Sequence, residues 1–160
     1  MPSGSRTWRA PCRKNFVESA RTMRLISVDL GDVRTGLAAG DDVLRIVQPL
    51  LVIEERDEHR RLERIAEEIE RHGPDRIVVG LPLNMDGTEG PRATMSRTFG
   101  ALLSERTGLP VDYQDERLTS FEADESLKGS GLTRKGKKRV QDAIAAATIL
   151  EDWLGARPSD

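Results

Sequence analysis

The stretch Arg24-Leu25-Ile26-Ser27-Val28-Asp29-Leu30 decides how the ordered part of the chain begins. Its hydrophobic and β-branched residues are typical of a buried strand. The sequence Gly31-Asp32-Val33-Arg34-Thr35-Gly36 follows it and predicts a turn into a second strand near residues 37–39. A third strand is predicted at residues 50–53. Strands joined by such short connections predict an antiparallel start to a sheet.

Helical and strand patterns then alternate along the chain. Four apolar residues recur at helical spacing between residues 57 and 72, and Gly73-Pro74 ends that pattern. The four are Leu62, Ile65, Ala66 and Ile69. The later elements we predict are a strand at 77–79, a helix at 92–106, a strand at 111–114, a short helix at 119–127, a basic linker at 128–136 and a final helix at 138–154. This order predicts an α/β fold, a five-stranded mixed sheet flanked by helices.

Length and composition limit the domain organisation. The 160 residues suffice for one ordinary domain, and no apolar stretch approaches the roughly 20 residues that a membrane span needs. We therefore expect no membrane partner. Cys12 is the only cysteine, which excludes a disulfide framework and a cysteine-rich zinc site and favours the cytoplasm. We expect a disordered basic extension at residues 1–22, one globular domain at 23–155 and a short tail at 156–160.

The overall charge does not itself indicate nucleic-acid binding. The whole chain carries a formal charge of −2. Residues 1–22 contain five basic residues and one acid, so residues 23–160 carry the remaining −6. Any contact with nucleic acid must therefore come from a local basic surface.

Two carboxylates stand at unusual places in the predicted strands. Asp29 interrupts an apolar strand, where a buried charge is costly unless something compensates for it. Glu116 stands where the last predicted strand ends. A capping role for Asp29 and a surface ion pair of Glu116 with Arg117 are the simpler interpretations of each residue alone.

A third carboxylate heads an apolar stripe of the final helix. Asp142, Ala146, Ile149 and Trp153 share one helical face, so the acid should lie on the side that packs inward. A favourable charge near the helix start, worth about 0.3 to 1 kcal/mol, would explain an acid there equally well.

The three acids lie on elements that neighbour each other in such a sheet. Mutually repelling carboxylates in one crevice would be relieved by a hard divalent cation, and oxygen ligands favour Mg²⁺ or Mn²⁺ over zinc. Such a cluster can activate water and bind a phosphate. We therefore predict Asp29, Glu116 and Asp142 as catalytic and metal-binding residues that hydrolyse a phosphodiester.

Basic residues near these acids are candidates for nucleic-acid binding. Five cations occupy six positions just before Asp142 and could neutralise several phosphates. They are Arg134, Lys135, Lys137, Lys138 and Arg139. Arg34 and Arg117 are further candidates for contacts with phosphate. A merely solvated basic surface is the alternative.

Four ordered motifs carry a resemblance to a known family. They are Asp29-Leu-Gly31-Asp-Val-Arg34-Thr-Gly36, Gly80-Leu-Pro-Leu-Asn84-Met-Asp-Gly87, Asp115-Glu116-Arg117-Leu118-Thr119-Ser120 and Asp142-Ala-Ile-Ala-Ala-Ala. Together the motifs resemble the YqgF/RuvX signatures over residues 23 to about 154. The resemblance implies an RNase H-like fold, a cytoplasmic nuclease, and acids that match Asp29, Glu116 and Asp142. The last helix carries one clear acid, where the distant RuvC resolvases carry two.

The family is named for two activities. Of these, we prefer maturation of the 5′ end of pre-16S ribosomal RNA to resolution of Holliday junctions in DNA. The partner is then a structured RNA precursor or branched DNA, and the protein a monomer or a homodimer. A non-catalytic nucleic-acid-binding module of the same fold is an alternative from another class. Asp29, Gly31 and Gly36 also resemble the phosphate-binding hairpin of actin-like ATPases, but those enzymes need two such domains.

Overall fold

Five strands and three helices form within residues 21–117, 131 and 133–157, which are the residues that the computed structural model describes. The strands are β1 (Arg24–Leu30), β2 (Arg34–Asp41), β3 (Val47–Glu54), β4 (Arg76–Leu81) and β5 (Val111–Asp115). The helices are α1 (Glu58–His72), α2 (Pro91–Thr107) and α3 (Arg134–Gly155). The expected extension at 1–22, apart from residues 21 and 22, and the short helix at 119–127 lie outside the described residues.

The strands form one mixed sheet in the order β3-β2-β1-β4-β5. β1, β2 and β3 are antiparallel neighbours, whereas β4 runs parallel to β1 and β5 runs parallel to β4. The predicted five-stranded mixed sheet is therefore confirmed. β2 is longer than predicted because pairing of Leu30 with Thr35 confines the first turn to residues 31–33, and β3 is longer because it pairs with β2 from Arg34 to Gly40.

The two faces of the sheet bury different helices. Ile26 and Val28 of β1 belong to a core cluster that also contains Ile65 and Ile69 of α1 and Phe99 of α2. Leu25 of β1 and Val78 of β4 instead pack with α3. Because side chains alternate along a strand, Asp29 and Gly80 lie on the same face as Leu25 and Val78, which is the face covered by α3.

Helix α3 begins earlier than the sequence pattern suggested. Thr133 is its N-cap, and the Thr133 hydroxyl accepts a hydrogen bond from the backbone N–H of Gly136 at 3.2 Å. The predicted linker at 128–136 is thus wrong in its last three residues, which are helical. The Thr133 cap stabilises the first turn of the helix although that turn contains Gly136. Of the five predicted cations, Arg134, Lys135 and Lys137 were expected before the helix, and all five lie in its first two turns.

Helix α3 lies very close to β1 and β2. A Cβ atom at Gly36 would lie 2.0 Å from the backbone oxygen of Asp142, so only glycine permits this approach. The Ser27 hydroxyl donates a hydrogen bond to the carbonyl of Ala146 at 2.5 Å. Ala146, Ile149 and Trp153 are buried, which confirms the inward stripe predicted for this helix. Among the described residues, no helix combines the length and apolar character that crossing a membrane requires.

Candidate active site

Two of the three predicted acids are in contact. Asp29 is the last but one residue of β1, and Glu116 follows directly after β5. β4 separates these two strands in the sheet. The side chain of Glu116 crosses β4 over Gly80, where a Cβ atom would lie 1.7 Å from Oε1 of Glu116. The two carboxyl groups are hydrogen-bonded to each other.

The contact changes the acidity of both groups. Burial raises the pKa of Asp29, and the hydrogen bond from Glu116 partly opposes that shift. Burial raises the pKa of Glu116 to about 8, with the negative charge of Asp29 as the next cause. Two carboxylates this close cannot both ionise easily. At neutral pH the metal-free pair therefore retains a proton between its two carboxyl groups.

The third acid, Asp142, faces the same region and has a different partner. Its charge raises the pKa of Asp29, which places it near the pair of Asp29 and Glu116. Its Oδ2 atom, however, lies 3.0 Å from Nε of Arg34. Burial raises the pKa of Asp142, and the charges of Arg34 and Lys138 oppose that shift. Arg34 is thus the immediate partner of the Asp142 carboxylate.

The acids suit a hard divalent cation, although all three are not gathered around one point. Within residues 21–117, 131 and 133–157, no group of three or more His, Cys, Asp or Glu side chains is close enough to hold a metal ion. The pair of Asp29 and Glu116 offers only oxygen donors, which Mg²⁺ and Mn²⁺ prefer. A cation between these carboxyls would replace their shared proton. The pair therefore fits such an ion.

Some of the predicted basic residues line different hollows of the described surface. Lys138 and Arg34 face a common crevice. Arg139 instead lines a shallow hollow with Leu51 and Val52 of β3. Arg134 and Lys135 are exposed at the start of α3. Arg117 is held by Asp115 at 2.7 Å, near Gly87 in the loop after β4.

The crevice beside Asp142 has a volume of about 340 Å³. It lies between the β1–β2 turn, the start of α2 and the second turn of α3. Its lining residues are Gly31, Asp32, Val33, Arg34, Arg92, Lys138 and Asp142. Sequence reasoning missed Arg92. The available signal was a cation at the second position of a helix that follows the carboxyl end of a parallel strand, where ligands often bind.

Comparison with known proteins places the chain in a family. Residues 23–156 match the family described as "RuvX: Holliday junction resolvase". The chain belongs to the RuvX family. A relative from Anaeromyxobacter sp. (strain K), named "Putative pre-16S rRNA nuclease", is 47% identical over 135 residues, which are 84% of this chain and 98% of that protein. A relative of the same name from Oenococcus oeni is 42% identical, and the match covers 82% of this chain and 94% of that protein.

Solved structures share the fold at much lower identity. Thermus thermophilus RuvC bound to a Holliday junction substrate superimposes with a TM-score of 0.55 at 17% identity, covering 84% of this chain and 95% of that one. The fowlpox virus Holliday junction resolvase gives a TM-score of 0.54 at 14% identity, and the match covers 84% of this chain and 100% of the viral one. The RNase H-like fold predicted from the motifs of this RuvX member is therefore confirmed.

Proposed function

We propose that this protein is a metal-dependent nuclease that hydrolyses phosphodiester bonds and matures the 5′ end of pre-16S ribosomal RNA. The observation that carries the proposal is the buried contact between the carboxyls of Asp29 and Glu116, together with the cation-lined crevice that borders Asp142. Such hydrolysis needs carboxylates that can hold a metal ion and basic side chains that can bind the phosphate. The names of the RuvX relatives support the choice of RNA.

In this proposal Asp29 and Glu116 hold Mg²⁺ or Mn²⁺, with Asp142 as the third carboxylate. The bound ion would supply an activated water and neutralise charge on the scissile phosphate. Glu116 must release its proton before both carboxyls can serve as ligands, since a protonated oxygen is a poor donor to a cation. The raised pKa of Glu116 therefore makes occupancy of the site depend on pH.

The cations around the acids would bind and position the strand. Arg34 and Lys138 lie on the side of the crevice that borders Asp142. A phosphate bound by the guanidinium of Arg34 would take it from the Asp142 carboxylate, and Asp142 could then serve as a ligand to a metal ion. Arg117 and the exposed cations of α3 would contact the backbone farther along the nucleic acid. The protein would act in the cytoplasm, as a monomer or a homodimer.

Resolution of Holliday junctions is the second candidate function, and the description of the matching family favours it. A resolvase cuts two strands symmetrically and would therefore work as a homodimer. A non-catalytic module is the third candidate. The retained contact of two costly buried acids argues against that module, because a protein that only binds nucleic acid has no use for them.

Cleavage of two substrates side by side tests the proposal. A labelled pre-16S RNA fragment and a four-way DNA junction are incubated with Mn²⁺, Mg²⁺ or EDTA. We expect cutting of the RNA that requires metal and that Glu116→Gln abolishes. Glu105→Gln is the matched control, because Glu105 is exposed on α2 and lies outside the site.

Each result of this assay favours one candidate. Metal-dependent cutting of the junction alone would select the resolvase. Binding of either substrate without any cutting would select the non-catalytic module. Cutting that persists in Glu116→Gln would contradict the assigned role of the acid pair.

A further inference from the structure

The crevice beside the acids combines side chains from three separate elements. Arg34 comes from the start of β2, Arg92 from the first turn of α2 and Lys138 from the second turn of α3. Asp32 and Asp142 are the only acids among the residues that line it. Three cations therefore face two carboxylates, and the crevice has an excess of positive charge next to a site that would attract metal.

Arg92 is the cation of this group that is most available to a ligand. Its nearest carboxylate is Asp32 at 3.5 Å, and the two side chains are 64% and 78% exposed. An exposed pair at that distance contributes little and is readily exchanged for another anion. Arg34, in contrast, is engaged by Asp142 at 3.0 Å. Lys138 makes no salt bridge within the part of the chain that the structure describes.

The position of these cations is unfavourable for the helices that carry them. The N-terminus of a helix carries a partial positive charge, so acids stabilise its first turn and cations destabilise it. Neither α2 nor α3 has an acid in its first turn. Helix stability therefore does not explain Arg92 or the cations of α3. An anion held between the start of α2 and the second turn of α3 would explain Arg92 and Lys138.

Arg92 also lies close to the acid pair. Burial raises the pKa of both Asp29 and Glu116, and the positive charge of Arg92 opposes the shift in each. A group bound at Arg92 is thus a near neighbour of a group cut at Asp29 and Glu116. The volume of about 340 Å³ exceeds that of a phosphate alone and leaves room for part of a flanking nucleoside.

We propose that this crevice is a phosphate subsite in which Arg92, Arg34 and Lys138 bind one phosphodiester group adjacent to the group that is cut. The inference rests on the proposed nuclease function and specifies how the strand is held. Arg92 is a binding residue in this arrangement, and it fixes the register of the strand against the acids.

A neutral-linkage scan combined with the Arg92→Ala variant tests the subsite. The probes are 2′-O-methyl oligonucleotides with the sequence of the pre-16S cleavage region, each carrying one uncharged methylphosphonate linkage. Binding is measured in EDTA, so cleavage does not enter the readout. We expect one linkage whose neutralisation weakens wild-type binding about tenfold or more and weakens binding by Arg92→Ala clearly less, because Arg34 and Lys138 alone then hold that phosphate.

The control variant is Arg71→Ala, which removes the same charge from the opposite end of the sheet. Arg71 is in the last turn of α1, beside His72, whose carbonyl contacts Arg24 at the start of β1. Arg92→Ala should lower the slope of log affinity against log salt by about one, and Arg71→Ala should leave it unchanged.

Two outcomes would overturn the subsite in distinguishable ways. If the wild type binds the probes and every neutral linkage weakens binding by Arg92→Ala as much as it weakens binding by the wild type, the subsite is overturned. The nuclease proposal would then still stand. A wild-type protein that binds neither these probes nor the four-way junction would overturn the proposed function and the subsite with it.

Discussion

Glu116 is a residue whose placement costs the folded protein stability. Its carboxyl has an ordinary pKa of 4.5 and a pKa of about 8 in the folded state, chiefly because of burial. The folded state therefore binds this proton more tightly than the unfolded chain does. The stabilising effect of the proton is complete below pH 4.5 and is lost as the pH rises through about 8.

Glu116→Gln should therefore stabilise the metal-free protein at alkaline pH. Urea unfolding in EDTA should show wild-type stability falling by a few kcal/mol between pH 4.5 and about 8, the sign that a raised pKa requires. The variant should lack most of that decline, because glutamine carries no titrating group. Equal slopes in the two proteins would mean that Glu116 does not hold its proton in the way described.

The sequence singled out three acids as candidates but did not contain their arrangement. Asp29 stood out because it interrupts an apolar strand, Asp142 because it heads an apolar helical stripe, and Glu116 because it stands where a strand ends. The shared proton and the pair of Arg34 with Asp142 depend on side-chain rotamers and distances of a few ångströms, which no spacing encodes. Arg92 escaped notice because a cation in the first turn of a predicted helix breaks no apolar pattern.

At the scale of elements, a buried arginine links helix α1 to the turn that follows Asp29. Arg61 is only 2% exposed. It donates hydrogen bonds to the carbonyls of Gly31 at 2.8 Å and Asp32 at 2.7 Å. Within the described part of the chain it forms no salt bridge, and its guanidinium lies 5.7 Å from the ring centre of Phe99. Its role is therefore to hold the turn against the helix.

Replacing Arg61 should loosen that turn. Arg61→Met removes the donor of two partly buried hydrogen bonds, and we expect a loss of about 1 to 2 kcal/mol in the free energy of unfolding. Hydrogen exchange of the Gly31 amide, which donates to Arg34 at 2.9 Å, should accelerate. Arg61→Lys should restore part of the loss through its ammonium group. Unchanged exchange at Gly31 in Arg61→Met would show that the turn needs no such link.

The elements were predictable to the extent that their patterns are periodic. Helix α1 has a regular apolar stripe, an Asp57 cap and a left-handed Gly73 at its end, and its prediction was accurate. The start of α3 was wrong because its first two turns are basic and contain Gly136, so no apolar pattern marks them. The ends of β2 and β3 depend on pairing with other strands, which a local pattern does not contain.

At the scale of the whole molecule, the fold brings together residues that are far apart in the sequence. Asp29, Glu116 and Asp142 come from the central strand, the end of an edge strand and the helix that covers that face. Gly80 and Gly36 permit the close approaches that this requires. The fold thus places Asp29 and Glu116 in contact, with Arg34 of β2 and Lys138 of α3 beside Asp142.

The central claim is that Asp29 and Glu116 together hold a divalent cation, and calorimetric titration of the metal-free protein with Mn²⁺ tests it most directly. Below pH 8 we expect binding with release of about one proton per ion, measured in buffers of different ionisation enthalpy. Asp29→Asn and Glu116→Gln should lose this binding, and Glu105→Gln should retain it. Wild-type Mn²⁺ affinity in either active-site variant, or no binding by the wild type, would contradict the claim.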